Sequence, residues 1–271
     1  DPNKVTALVD WVTENQGEIS DAIEVTELSE NHYGVVTKTD LDKDCVVMKI
    51  HESTSINQTT READESEDLT DVERTMINLI EEKNNEDSFF SPFTDLLPTL
   101  ERFADHYLRF TDEQWVECKK HFPNLMTLFQ VENDKLVDFQ LKHGDSYRKE
   151  DLEWAFLLHK TRSWNEYGFI PYGEFFNHSI FGNVALTKEG EFYVFKTMGP
   201  VKAGDELLYS YGVKDFVTCL VKYNFADSTS NMLVFKYNWN KKTENWKDEN
   251  KDWLMERAKQ YRSEEHTSEL Q

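Results

Sequence analysis

Cysteine is scarce in this chain. Three are spread over 271 residues, Cys45, Cys118 and Cys219, and no CxxC occurs. That excludes a disulfide framework and a cysteine zinc cluster, and it is the usage expected of reduced thiols inside a cell. The 8 histidines include no HExxH pair, so no helical metal site is expected. No apolar run approaches the ~20 residues that cross a bilayer, so no membrane partner is expected. Positive charge is also short: 30 Lys and Arg face 52 Asp and Glu, a net charge of −22. Phosphates repel such a surface, so bare nucleic acid is not an expected partner. A basic protein or a cationic substrate suits it.

Core-forming residues are present. With 38% hydrophobic and 13% aromatic residues the chain can bury a core and escapes the composition of disorder. Its length suits one large domain or two small ones. The last ten residues, "RSEEHTSELQ" (Arg262 to Gln271), resemble a translated adapter oligonucleotide more than evolved protein and are set aside. Without their one Arg and three Glu the net charge is −20, still acidic.

Val5, Leu8, Val9 and Val12 keep helical spacing, and Gly17 follows as a stop. Ile23 and Val25 alternate with polar neighbours, and "YGVVTKTDL" and "DCVVMKI", Tyr33 to Ile50, are β-branched strand sequences. "READESEDL", Arg61 to Leu69, is an acidic run expected to be a solvated loop. Thr70 with Glu73 has capping-box spacing ahead of a face of Val72, Met76, Leu79 and Ile80. "SFFSPFTDLLP", Ser88 to Pro98, is broken by prolines yet apolar, and so should pack irregularly on the core. Thr111 with Gln114 repeats the capping box. A helix is predicted over about Lys149 to Lys160, with Leu152, Ala155, Phe156 and His159 on one stripe. "NVALTKEGEFYVFKT" predicts a hairpin turning at Glu189-Gly190. "DELLYSYG" predicts a strand with Leu207, Tyr209 and Tyr211 on one face, and "FVTCLVKYNF" a helix. Strands, a helical middle near 70–160, then strands again make an α+β, β-rich domain with a helical insertion.

"EFFNHS", Glu174 to Ser179, sets Asn177 and His178 directly after two phenylalanines. The pair either caps a turn or lines a pocket. "YGEFFNHS" followed by "AGDELLYSYG" resembles the two core motifs of the SET-domain protein methyltransferases. More narrowly they resemble those of the subgroup holding the Rubisco large-subunit lysine methyltransferase and the actin-histidine methyltransferase. "ALVDWVTENQG" is similar to the family's opening helix, "YGVVTKTDLDKDCVVMKI" to its first strands, and "NLIEEKNNEDSFFSPFTDLLP" to a segment of its insertion. "WAFLLHKTRSW" is similar to the helix ending in a Ser/Thr-Arg pair.

The resemblance implies a SET domain over 1–225 with an insertion at about 65–150. It also implies the start of a C-terminal helical substrate-binding domain over 226–261. S-adenosyl-L-methionine would be the methyl donor and a protein the substrate. Lysine is the expected acceptor, histidine the alternative, and a catalytically inactive protein-binding module a further alternative. Arg162 would meet the donor's carboxylate with its fixed fork of N–H groups. Asn177 and His178 would hold the donor, with Tyr33, Gly34 and Val35 of the first-strand loop. Tyr211 would be the catalytic tyrosine, and Tyr223 and Phe225 would wall the pocket. No metal is implied. A monomer in the cytoplasm or nucleus is expected, with the plastid as the alternative. The chain has Glu174 where the family commonly has aspartate, His32 where it has glycine, and Asp44 and Asn224 at frequent turn glycines.

Overall fold

The apolar stripe of the opening residues forms α1 (Pro2–Glu14), which buries Leu8, Trp11 and Val12. The helix ends near Gly17, but two residues share the task. Gln16 takes the left-handed angle, φ 67°. Gly17 passes so close to Val12 that a Cβ there would lie 2.5 Å from Val12 Cγ1. A side chain at 17 would push the helix off the sheet. This computed structural model describes residues 2–30, 32–62, 68–212, 214 and 216–225. The centre of the acidic run (63–67), the expected C-terminal segment (226–261) and the adapter-like tail (262–271) lie outside the described residues.

Seven strands follow in chain order: β1 (Glu18–Ile19), β2 (Ile23–Ser29), β3 (His32–Thr37), β4 (Val46–His51), β5 (Val184–Glu189), β6 (Phe192–Thr197) and β7 (Glu206–Leu207). They form two antiparallel sheets among the described residues, β1-β4-β6-β5 and β2-β3-β7. Val35, Val47, Met48, Ile50, Phe195 and Leu207 are wholly buried. Each stabilises the fold by roughly 1.5–3 kcal/mol relative to exposure. The β5–β6 hairpin turns at Gly190 and Glu191, since Glu189 still pairs with Phe192. That is one residue later than expected, and it places the glycine where φ is 60°.

The strand expected over Asp205 to Gly212 shrinks to the two residues of β7. Beyond them the chain leaves β3 and crosses to the other sheet, where Tyr209 forms parallel bridges with Val184 and with His178. Asn183 enforces the crossing. Its amide donates to the Glu206 carbonyl at 2.9 Å and accepts from the Leu208 N–H at 2.7 Å. Asp44 and Asn224, in place of glycines, both take left-handed angles, φ 62° and 61°, as short polar side chains tolerate.

The helical middle comprises α2 (Asp71–Asn84), a single turn α3 (Ser91–Thr94), α4 (Asp112–His121), α5 (Pro123–His143) and α6 (Lys149–Arg162). Both predicted capping boxes are formed. Val72, expected on the buried face of α2, is exposed, while Thr75, Met76, Leu79 and Ile80 are buried. Phe90, Phe93 and Leu97 carry the proline-broken segment into the core. α6 extends to Arg162 and buries Leu152, Trp154, Ala155, Leu157 and Leu158. α2 and α6 thus join the main core beside the sheets. A second, smaller core holds Tyr107, Leu108, Phe129, Leu136 and Leu157. The chain then forms α7 (Phe216–Tyr223). No helix among the described residues is long and apolar enough to cross a membrane.

The α2 cap is also tied to α5. Burial raises the Glu73 carboxyl, but hydrogen bonds from the Thr70 N–H and the Lys142 ammonium outweigh it and hold its pKa at about 2. A lowered carboxyl pKa stabilises the folded state above the unfolded pKa, and that contribution is lost as pH falls toward 2. Glu73→Ala is expected to cost about 1–2 kcal/mol at pH 7, with the deficit closing in acid. Urea unfolding at several pH values measures it.

Candidate active site

The end of α6 delivers Arg162, half-buried, to the wall of a cleft. The chain returns twelve residues later in a tight turn, Gly173–Phe175, entered through Tyr172 in a left-handed conformation, φ 66°. Tyr172 is 2% exposed. A buried aromatic residue in that region is strained and is held there by its surroundings. The turn aims Glu174 at Arg162, whose Nη1 donates to the Glu174 carbonyl at 3.3 Å. Both carboxyl oxygens of Glu174 are buried, and no donor reaches hydrogen-bonding geometry with them. Burial pushes this carboxyl up to about 7, against the partial pull of its own backbone N–H and the Arg162 charge. Burial in turn lowers the Arg162 guanidinium, and the nearby Glu174 supports its charge.

Phe176 answers for the apolar half of "EFFNHS": it is 1% exposed and stacks on Phe195 at 5.2 Å. The polar half does two separate tasks. Asn177 donates both amide hydrogens within the protein, to the Tyr33 carbonyl at 2.9 Å and to the Glu206 carboxylate at 2.7 Å. Its backbone carbonyl accepts from the Tyr209 N–H at 2.9 Å. His178 accepts the Tyr211 N–H on Nδ1 at 3.0 Å, which places its own proton on Nε2 when the ring is neutral. The ring stacks on Tyr211 at 4.9 Å.

Arg162, Glu174, Asn177 and Tyr33 share the wall of a cleft of about 1150 Å³, bounded by α1, β2 and residues 96–105. Gly34 lies behind Tyr33. A Cβ on it would meet the Glu206 carboxylate at 2.5 Å and the Asn177 amide at 2.9 Å, so glycine is required for the two segments to touch. Val35, expected with them, is wholly buried and pairs with Val25 and Leu207. Its side chain belongs to the core.

A cluster of aromatic rings adjoins the cleft. Tyr211 lies 5.0 Å from Tyr223 and 6.2 Å from Tyr209. Phe225 lies 5.7 Å from His178 and 5.9 Å from Tyr223. The Tyr211 hydroxyl donates to the Phe176 carbonyl at 2.8 Å. Burial raises this phenol to about 12, although the Arg162 charge opposes the shift. Arg162 and residues 176–178 therefore join the cleft to the aromatic cluster. Of the expected residues, Arg162, Asn177 and Tyr33 line the cleft, His178, Tyr211, Tyr223 and Phe225 form the aromatic cluster, and the Val35 side chain lies in the core.

Three contributors had no signal in the sequence reading: Glu174 as an unpartnered acid, Asn183 as the crossing clamp, and Trp164, whose ring lies 4.6 Å from Tyr209. Glu174 and Trp164 lie within the quoted motifs, but burial cannot be read from one sequence. Among the described residues no group of three or more His, Cys, Asp or Glu is placed to hold a metal ion.

The Glu174 carboxyl makes stability depend on pH with a definite sign. Below its unfolded pKa of about 4.5 it is protonated in both states. As pH rises from there through about 7 the unfolded chain releases the proton first, so the folded state loses up to about 3 kcal/mol. Glu174→Gln keeps the shape and removes the titration. Its stability relative to the unsubstituted chain is expected to climb between pH 4.5 and 7, as followed by urea unfolding.

A model of the SET domain family matches residues 32–212. No curated protein matches the chain. Among solved structures, Rubisco LSMT bound to sinefungin and monomethyllysine is similar at a TM-score of 0.70 and 19% identity, over 83% of this chain and 56% of that one. Rubisco LSMT bound to AdoMet is similar at a TM-score of 0.62 and 19% identity, over 83% and 57%. The SET domain of LSMT bound to lysine and AdoHcy is similar at 0.59 and 19%, over 83% and 58%. The chain thus spans under three fifths of the length of these solved structures. By its matched residues and its fold, the chain belongs to the SET domain family.

Proposed function

We propose that this chain is an S-adenosylmethionine-dependent protein methyltransferase whose acceptor is a lysine side chain. One observation carries the reading: Arg162 and Asn177, from α6 and the 173–178 turn, line one cleft, and beside Asn177 the His178 imidazole stacks on Tyr211, whose hydroxyl donates to the Phe176 carbonyl. The solved neighbours, crystallised with AdoMet or with monomethyllysine, support it.

The residues present fit such a donor. Its methionine end carries a carboxylate and two cationic centres, an ammonium and a sulfonium. Arg162 offers a fork of N–H groups to the carboxylate. Glu174 offers two buried oxygens that make no geometric hydrogen bond, and a ligand cation beside them would add to the partial support of the Arg162 charge. The bound donor would supply an electrophilic methyl group and leave as a neutral thioether. The leaving group thus needs no proton from the protein.

The remaining task is to prepare the amine. A lysine of unperturbed pKa ~10.4 must lose its proton. Tyr209, Tyr211 and Tyr223 form a poorly hydrated wall that lowers that pKa by desolvation. Each ring attracts a cation by about 0.5–2 kcal/mol. With a pKa of about 12 the Tyr211 phenol keeps its proton at neutral pH, so it serves as a hydrogen-bond partner rather than as a phenolate base. Donating to the Phe176 carbonyl leaves its lone pairs to accept from the amine and fix its direction. Alignment is the largest contribution, since it can supply ~7–11 kcal/mol of a bimolecular barrier. The acidic surface suits a substrate basic around its target. The proposed domain limits are 1–225 for the catalytic unit, with 226–261 beginning a substrate-binding part.

Two measurements test this. S-adenosylhomocysteine should bind saturably by calorimetry, and Arg162→Ala should weaken it by roughly 2–4 kcal/mol. Absence of binding by the folded chain overturns the reading. With labelled donor and a cell extract, mass spectrometry should find methyl-lysine. Tyr211→Phe should slow transfer about 10²-fold while leaving donor-product affinity within a few-fold.

A further inference from the structure

The mechanism uses none of the second core, yet that core reaches the aromatic wall. Tyr107 is 1% exposed. Its ring is clamped between His106, stacked at 4.5 Å, and Phe129, stacked at 4.0 Å and nearly parallel. The His106 ring is itself fixed, accepting the Leu108 N–H at 3.1 Å on Nδ1. A ring held on both faces leaves its hydroxyl one place to reach, and it donates to the Val221 carbonyl at 2.7 Å across 114 residues of chain.

Val221 lies in the last turn of α7, where carbonyls have no partner within the helix. The Tyr107 hydroxyl thus satisfies a helix-end acceptor, and Leu220 and Val221 pack on the same core. Two residues beyond Val221 stands Tyr223, 5.0 Å from Tyr211, and then Phe225, 5.7 Å from His178. Asn224 between them takes a left-handed angle, and the two rings stack at 5.9 Å. Whatever fixes the end of α7 therefore fixes where these two rings stand.

We propose that Tyr107 is a positioning residue of the acceptor pocket. Its hydroxyl anchors the last turn of α7, so that the insertion's own core sets the position of Tyr223 and Phe225 over Tyr211 and His178. The catalytic consequence rests on the methyltransferase reading above; the anchor itself does not. Methyl transfer tolerates little misplacement of the acceptor, so a loosened wall should slow the chemical step more than it weakens donor binding.

The test uses the full chain and Tyr107→Phe, which keeps both ring stacks and removes one hydroxyl. Hydrogen exchange read by mass spectrometry should rise about tenfold over 216–225 and stay unchanged over 149–162. Leu136→Val thins the same core away from the hydroxyl and should leave 216–225 at the unsubstituted rate. In turnover, Tyr107→Phe should lower kcat about tenfold with donor KM within about twofold. In a Tyr223→Ala background the same change should cost less than about twofold, because the effect passes through Tyr223. Equal exchange over 216–225 in the two proteins, or an equal kcat loss in both backgrounds, overturns the proposal. If the unsubstituted chain transfers no methyl group, the functional reading falls while the exchange result still decides the anchor.

Discussion

The side-chain amide of Asn177 is the tie on which the rest of the site depends. It joins three segments that are remote in sequence: the Tyr33 carbonyl of β3, the turn after Tyr172, and the Glu206 carboxylate of β7. A hydrogen bond to a carboxylate contributes about 1.5–3 kcal/mol, and its geometric effect is larger than its energy. Gly34 permits the approach, since a methyl group there would occupy the space of both partners. Once the three segments touch, the cleft wall and the aromatic cluster have fixed relative positions. Both amide donors of Asn177 are engaged within the protein.

Charge in the site follows a related logic. Arg162 and Glu174 are brought together in the wall of the cleft, yet the guanidinium bonds to the Glu174 carbonyl and not to its carboxylate. The acid is left with burial as its dominant influence. Such a group is stabilised by a proton or by a ligand's positive charge, and these two compete. The departure from aspartate to glutamate keeps the charge and adds one methylene of reach.

Local signals were the most legible in the sequence. The boxes at Thr70–Glu73 and Thr111–Gln114 depend on residues three apart, and both form. The α6 stripe and the β5–β6 hairpin are likewise short-range patterns. What failed was non-local. α5 falls within the helical middle expected near 70–160, but its own limits are not legible, because its buried residues Phe129, Leu136 and Phe139 are diluted by exposed Leu128, Val131, Val137 and Leu141. The alternation of "DELLYSYG" looks like a full strand, but the segment changes sheets after Leu207 at the demand of Asn183. At the site, the motifs around Asn177, His178 and Tyr211 could be read. The solitude of Glu174 and the reach of Tyr107 could not, since each depends on what the folded chain places, or fails to place, beside them.

α6 occupies an unusual position between the two cores. Leu152, Ala155 and Leu158 belong to the main core and Leu157 to the smaller one, so successive turns are dry on opposite sides. A helix wetted along one face can absorb sequence drift there. This one has little such margin along its middle, and a polar residue at 157 or 158 would strand its hydrogen-bonding groups without water. Because the same helix ends by delivering Arg162, natural variation in the family should be slower along these turns than their distance from any chemistry would suggest.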